Sequence, residues 1–336
     1  MTGTIRPMKL PGDLDVWIAI TAEGFQYPDH PEWNYSPEEI ENNVAGIRSL
    51  KRIWPLFALL RAFSVDARDL IRGFFAEEDG KVVGNISCQR RGEAWYISDV
   101  VVLPEYRRKG IARRLVETCV EDIRARGGRQ VSLDVVSGNV PAIELYRSTG
   151  FRDYTSLAYF ELKSYHPLLA VGTDDCRVEE IKGDSWKLRY DFWRRVTPAE
   201  VQTFTPVTES SFRRSAFTRA FNRLWRWMSG EKLQVYALLR GRGRQVIGVA
   251  RVEKRTKEGG INNLEIGLDE TSSGKAEYFL TEVLWRIYSD HQSPLTEFEL
   301  PVWQVGLRRA CSGLGLNPKY ETTSMGMILE NASENE

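Results

Sequence analysis

The order of secondary-structure signals in this chain runs twice, and that repetition constrains the fold more than any single motif. Hydrophobic alternation predicts strands over Gly73 to Ala76 and Val82 to Arg90, joined by the Glu78-Asp79-Gly80 turn, and a third over Ala94 to Val102. A helix over Ile111 to Arg126 follows, because Ile111, Leu115, Val116, Cys119, Val120 and Ile123 share one face at helical spacing. A buried strand over Val131 to Val136, a short helix over Pro141 to Ser148 stopped at Gly150, and a strand over Thr155 to Leu162 close the unit. The second half gives strands over Val235 to Arg240 and Val246 to Val252 around Gly241-Arg242-Gly243, and a strand over Asn263 to Leu268. A helix over Gly274 to Tyr288 and a strand over Phe298 to Val302 follow. An offset of 165 residues lays Gly150-Phe151 on Gly315-Leu316, Glu105 on Glu270 and the Ile111 helix on the one near Ala276, as a diverged internal repeat does. Two unrelated domains sharing one strand and helix order would look the same at this level. Both readings predict an α/β (α+β) chain of two domains, over 1–165 and 177–332, with the polar stretch 166–176 as linker.

The length of 336 residues suits two domains. The 46 Lys and Arg residues balance 46 Asp and Glu, which argues against a dedicated nucleic-acid binder, since such a protein needs a basic excess. The longest apolar-leaning stretch, Ile53 to Phe63, contains a proline and an arginine and falls far short of the roughly 20 residues that span a bilayer, so no membrane partner is expected. Cys88, Cys119, Cys176 and Cys311 form no CxxC pair and no apolar leader follows the first charges, so the expected location is cytoplasmic. His30, His166 and His291 are scattered without ligand spacing, and no metal site is expected. Two helices are predicted ahead of the first strand, over Asp13 to Phe25 and over Ser36 to Ser49, the second capped by Ser36 with Pro37 in its first turn.

Chemistry concentrates between Asp99 and Leu115, where a strand passes through the loop Arg107-Arg108-Lys109-Gly110 into a helix. Such a loop aims consecutive backbone N–H groups at one spot, and the positive end of the helix dipole adds to them, so an anion can sit there. Gly110 lets a phosphate approach the backbone without meeting a Cβ, and Ala112 is nearly as small. A solvated basic turn would show the same charges.

The surrounding residues resemble the GNAT superfamily of acyl-CoA-dependent N-acetyltransferases. Arg107-Arg108-Lys109-Gly110-Ile111-Ala112 matches the family's Q/R-x-x-G-x-G/A pyrophosphate loop, and Val102-Leu103-Pro104-Glu105-Tyr106 resembles its V-x-P-x-Y lead-in. Downstream, Asn139, Ala142, Leu145, Tyr146, Gly150 and Phe151 match N-x-x-A-x-x-L-Y-x-x-x-G-F at every anchor. The strong resemblance covers about residues 70 to 163. It implies a mixed, mostly antiparallel sheet flanked by helices that splays after the strand carrying Val100, Val101 and Val102, with the pantetheine arm of acetyl-CoA paired into the gap as an extra strand. It implies a diphosphate contacted by Arg107, Arg108, Lys109, Gly110, Ile111, Ala112 and Arg113, and further donor contacts from Asn139, Ala142 and Tyr146. It implies an amine acceptor attacking in a ternary complex, with Tyr146 as proton donor to the sulfur and Asp99 as proton acceptor, directly or through water. Packing alone for Tyr146, and a solvent-facing or ion-paired carboxylate for Asp99, are the plain alternatives. A non-catalytic acyl-CoA sensor or assembly module is the rival function, and the expected assembly is a monomer or homodimer.

At the same offset Arg107, Gly110 and Ala112 fall on Ser272, Lys275 and Glu277, and Asn139 and Tyr146 fall on Gln304 and Cys311. A glutamate where diphosphate should sit predicts that the second half is a degenerate copy without a cofactor site. The segment Gly24 to Tyr35, rich in Phe25, Tyr27, Trp33 and Tyr35, reads as a lid for a cationic amine or as a proline-fixed loop burying its aromatics. The basic, aromatic run Phe212 to Met228 reads as a helix that buries its apolar side and leaves its arginines solvated, with a membrane or nucleic-acid surface as the rival reading.

Overall fold

A computed structural model describes residues 3–34, 51–63, 71–163, 175–183, 185–213, 230–241, 244–255, 261–289 and 295–329, with a few isolated positions between them. Most of the helix expected over 36–49, Tyr35, most of the run 212–228, most of the linker, His166, His291 and residues 242–243 lie outside the described residues. By contacts the chain divides into two units, the first comprising Met1–Tyr154, Thr203–Pro206 and Thr323–Glu336, the second Thr155–Gln202 and Val207–Thr322.

In the first unit, β1 (Thr4–Pro7), α1 (Leu14–Gly24) and α2 (Trp54–Phe63) precede the meander β2 (Arg72–Glu78), β3 (Lys81–Arg91) and β4 (Ala94–Val102). Then come α3 (Ile111–Ala125), β5 (Gln130–Val136) and α4 (Val140–Ser148). The strand order is β1-β2-β3-β4-β5, followed by β12 (Tyr320–Ile328) from the far end of the chain. β1 to β4 run antiparallel, and β5 joins β4 in parallel, as a connection through a helix requires. The six residues expected on one face of α3 are all buried, in a core shared with Phe74, Ile86, Trp95, Leu133, Tyr146 and Phe151. At about 1.5–3 kcal/mol for each large apolar side chain buried, that stripe is what fixes α3 on the sheet.

β6 (Arg152–Leu162) forms where a closing strand was expected, but from Thr155 it belongs to the second unit. It pairs there antiparallel with β11 (Leu295–Pro301), in a register that stacks Phe160 on Phe298 with ring centroids 4.8 Å apart. The place beside β5 goes to β12, whose Met325, followed by Leu329, enters the first unit's core. The units therefore differ from a simple cut at residue 165 by exchanging their last strands.

The second unit continues through β7 (Cys176–Glu180), α5 (Trp186–Val196), α6 (Ala199–Phe204, whose last two residues fall in the first unit), α7 (Glu209–Phe212), β8 (Glu231–Arg240), β9 (Gln245–Arg255) and β10 (Ile261–Leu268). A 3-10 turn, Glu270–Lys275, leads into α8 (Ala276–Tyr288), and α9 (Val305–Gly313) follows β11. Its strands are ordered β6-β11-β10-β9-β8-β7, antiparallel except for β10 with β11. Both units are thus mixed, mostly antiparallel sheets with flanking helices, as expected. Among the described residues no helix is long and apolar enough to cross a membrane.

Candidate active site

The site begins where β4 and β5 part. Their parallel pairing is confined to Trp95 with Val131 and Tyr96 with Ser132, so from Ile97 to Val102 the β5 side of β4 lacks a β5 partner. Just there β4 bulges: Asn85 faces Val101 while Ser87 faces Ser98, which leaves one extra residue on β4. The extra residue is Asp99, held at a φ of 50°, a left-handed conformation that non-glycine residues adopt reluctantly. Asn85 Nδ2 donates to the Asp99 carbonyl at 3.0 Å, and Ser87 Oγ donates to the Asp99 carboxylate at 2.6 Å. Burial pushes the Asp99 carboxyl above its ordinary value, while Ser87, Ser98 and the nearby Trp17 indole offset part of that rise. Val101 turns its side chain against α1, where a Cβ on Gly24 would lie 1.9 Å from Val101 Cγ1.

The loop after β4 turns through left-handed backbone into the start of a helix. Arg108 and Gly110 take positive φ, 65° and 76°, and Gly110 stands at the N-terminus of the 15-residue α3. A Cβ on Gly110 would meet nothing within 4 Å, so packing does not demand the glycine; the left-handed turn does. Ile111 is buried as the first residue of α3, and Ala112 is half-buried. Arg107 is spent on scaffolding: Nε donates to the Val102 carbonyl and Nη2 to the Gly24 carbonyl, both at 3.0 Å. Lys109 lies over the Tyr106 ring at 4.8 Å, and Arg113 reaches Ser148 Oγ at 2.8 Å. Arg108 and Lys109 are exposed.

On the other flank, Asn139 caps α4, its Oδ1 accepting from Ala142 N–H at 3.3 Å. Tyr146 is buried in the core with its ring against Phe151, and burial pushes its phenol well above the usual value. Tyr27 lies near it, raised by burial and held down by Arg107 and Asn139. The structure thus brings Tyr146, Tyr27, Asn139 and Arg107 together. The segment before α2 packs its aromatics as a loop: Trp33 stacks on His30 at 3.8 Å, meets Tyr27 edge-on at 5.5 Å, and fills the space beside Gly138.

One carboxylate escaped the sequence reading. Asp134 on β5 accepts from Tyr96 Oη at 2.9 Å and from Ser324 Oγ of β12, on the strand face opposite buried Val131, Leu133 and Val135. Its signal was a lone charge following Ser132 on the polar side of a strand whose odd positions are apolar. Ser324 could not have been found, because it arrives from the end of the chain.

A sheet that opens beside a bulged fourth strand, with a left-handed loop leading into a helix at the mouth, matches the fold of solved GNAT proteins. The GCN5-related N-acetyltransferase of Sphaerobacter thermophilus superposes with a TM-score of 0.65 over 96% of this chain and 95% of its own, at 14% identity. A tandem GNAT protein from the clavulanic acid biosynthesis pathway gives 0.61 over 97% and 98%, at 15% identity. Residues 26–151 match the sequence profile of the Acetyltransferase (GNAT) family. That match covers the greater part of the first unit. The chain is similar to the mycothiol acetyltransferase of Thermobispora bispora, 31% identical over 158 residues, which span 45% of this chain and 47% of the relative. It is also similar to the ribosomal protein bS18-alanine N-acetyltransferase of Escherichia coli, 27% identical over 95 residues, 28% of this chain and 64% of that one. The chain spans about half the length of the mycothiol acetyltransferases it matches.

Proposed function

We propose that the first unit is an N-acetyltransferase that binds acetyl-CoA and passes its acetyl group to a primary amine by direct attack in a ternary complex. The observation that carries this reading is the open, left-handed Arg108–Gly110 loop at the start of α3, beside the divergence of β4 from β5. The residues fit the donor. The N–H groups around Gly110 and the α3 dipole suit diphosphate, with Arg108 and Lys109 adding charge, while Arg107 acts indirectly by tying the end of β4 to α1. The side of β4 that lacks a β5 partner suits the amides of a pantetheine arm from Val100 to Val102, although Arg107 already occupies the Val102 carbonyl, and an N–H there suits the developing oxyanion.

In the reaction the amine nitrogen forms a bond to the thioester carbon, the carbon–sulfur bond breaks, and the amine gives up a proton. Two carboxylates serve the acceptor side in this reading. Asp99 is enclosed by Ser87 and Ser98, which suits a role through water; Asp134, held by Tyr96 and Ser324, suits an amine directly. Tyr146, its pKa raised by burial, stays protonated at neutral pH and serves the leaving sulfur as a hydrogen-bond donor. The second unit carries no donor in this reading.

The test is release of free thiol from acetyl-CoA by the full chain across a panel of primary amines, with Tyr146→Phe beside it. Turnover with at least one amine, lowered tenfold or more in Tyr146→Phe while acetyl-CoA affinity stays within about twofold, is expected; tenfold is about 1.4 kcal/mol of transition-state stabilisation. Tight binding with no turnover on any amine would favour the sensor.

A further inference from the structure

The second unit repeats the architecture of the site and closes it with its own side chains. β10 pairs in parallel with β11 only from Ile261 to Leu264, then parts from it, as β4 parts from β5. The strand ends correspond: Leu103 N–H bonds the Val83 carbonyl at 2.9 Å, and Asp269 N–H bonds the Ile247 carbonyl at 2.8 Å. One residue earlier, Leu268 therefore turns its N–H and C=O away from β9, towards the gap, because neighbouring strand residues point to opposite edges.

Gln304 meets both groups. Leu268 N–H donates to Gln304 Oε1 at 2.8 Å, and Gln304 Nε2 donates to the Leu268 carbonyl at 3.0 Å. A primary amide making that paired contact does what one amide of an added strand does. Gln304 is fully buried and precedes the nine-residue α9 as Asn139 precedes the nine-residue α4. Asn139 folds back onto its own helix. Gln304 has one methylene more and reaches the strand end instead, and the cap it gives up is supplied by Glu270, whose two carboxylate oxygens each lie 3.2 Å from Gly306 N. Ser273 presses against the same turn: a Cβ on Gly306 would lie 2.8 Å from Ser273 Cβ. Where Gly110 opens on free space, its offset partner Lys275 is paired with Asp175 at 2.6 Å.

We infer that Gln304 is a built-in stand-in for a ligand amide, which fills the second unit's strand gap and limits the chain to one acyl-CoA site. The count of one rests on the donor reading of the first unit; the plug itself does not. The plug is tested by site-resolved amide hydrogen exchange on the full chain without ligand. Leu268 N–H is expected to be protected, unchanged by acetyl-CoA, and to exchange at least tenfold faster in Gln304→Leu. Should that variant fold poorly, Gln304→Asn, short enough to cap α9 as Asn139 caps α4, is expected to keep the melting transition while exposing Leu268. Free exchange at Leu268 in the wild type with protection gained on adding acetyl-CoA would overturn the plug. Calorimetry then counts sites: one per chain, abolished by Gly110→Glu, is expected, and a site that survives Gly110→Glu would overturn the inference. Absence of any binding to wild type, with Leu268 protected, would refute the donor reading and leave the plug standing.

Discussion

Gly110 separates two roles of glycine, and substitution can tell them apart. Its φ of 76° is left-handed, so Gly110→Ala should cost roughly 1–2 kcal/mol of stability from the contact of Cβ with the following carbonyl. No steric term adds to this, because the new Cβ would meet nothing within 4 Å. At about 2–4 °C per kcal/mol for a unit of this size, the melting temperature should fall by roughly 2–8 °C. Gly110→Asn tolerates the left-handed region and should fall less. Binding should respond otherwise. Each charge-assisted N–H to phosphate bond lost is worth about 1.5–3 kcal/mol, so both variants should bind acetyl-CoA on the order of ten- to a hundredfold more weakly, Asn at least as much as Ala. Differential scanning calorimetry and titration calorimetry on the same preparations give both numbers. If affinity follows the melting temperature, with Asn near wild type in both, Gly110 serves only the turn and the phosphate does not approach it.

Gly24→Ala should be costly for the opposite reason: its Cβ would fall 1.9 Å from Val101 Cγ1 in a β-branched, buried side chain, so about 1–3 kcal/mol of destabilisation is expected in denaturant titration. Asp99→Asn keeps an acceptor for Ser87 and suits the positive φ, but removes a carboxyl whose pKa is raised in the folded state. A raised pKa means that the folded state binds the proton more tightly, so wild-type stability is lost as pH rises from the unfolded value towards the folded one. The melting temperature of Asp99→Asn relative to wild type should therefore climb as pH rises above about 4; a flat difference would place the carboxyl in water. Tyr96→Phe should leave Asp134 with Ser324 alone, at a cost of about 1 kcal/mol, and should lower turnover without weakening acetyl-CoA.

The elements legible in the sequence were those whose periodicity is enforced by one buried face. α3 declares itself through six apolar residues at helical spacing, and the Arg107–Ala112 loop through its position between a strand and that helix. β12 did not, because Tyr320–Ile328 alternates Thr, Ser and Gly with Met rather than polar with branched apolar residues. β7 is only five residues long and begins at the edge of the expected linker. The exchange of β6 and β12 leaves no local mark at all, since which sheet a strand closes is decided by long-range pairing and not by its own residues. Within the site, Arg107 carried the expected charge, yet its reach to the Val102 and Gly24 carbonyls depends on α1 returning to the end of β4, a long-range contact that spacing cannot show.

The pair Asn139 and Gln304 shows how little chemistry separates a side chain that caps its own helix from one that fills a strand gap. Both residues precede a nine-residue helix beside a strand gap, and both carry a primary amide. Offset alignment registers Gln304 only as the loss of an asparagine, which predicts an empty, eroded slot. An empty slot would leave a buried strand-end N–H and C=O without partners, at about 1–3 kcal/mol each. The longer side chain removes that cost by bonding both groups, and Glu270 removes the next one by capping the helix that Gln304 no longer caps. A repeat that has given up its ligand must still satisfy the backbone the ligand would have satisfied. The residues to look for in a degenerate copy are therefore those that take over the ligand's hydrogen bonds, as well as those that lost its motif.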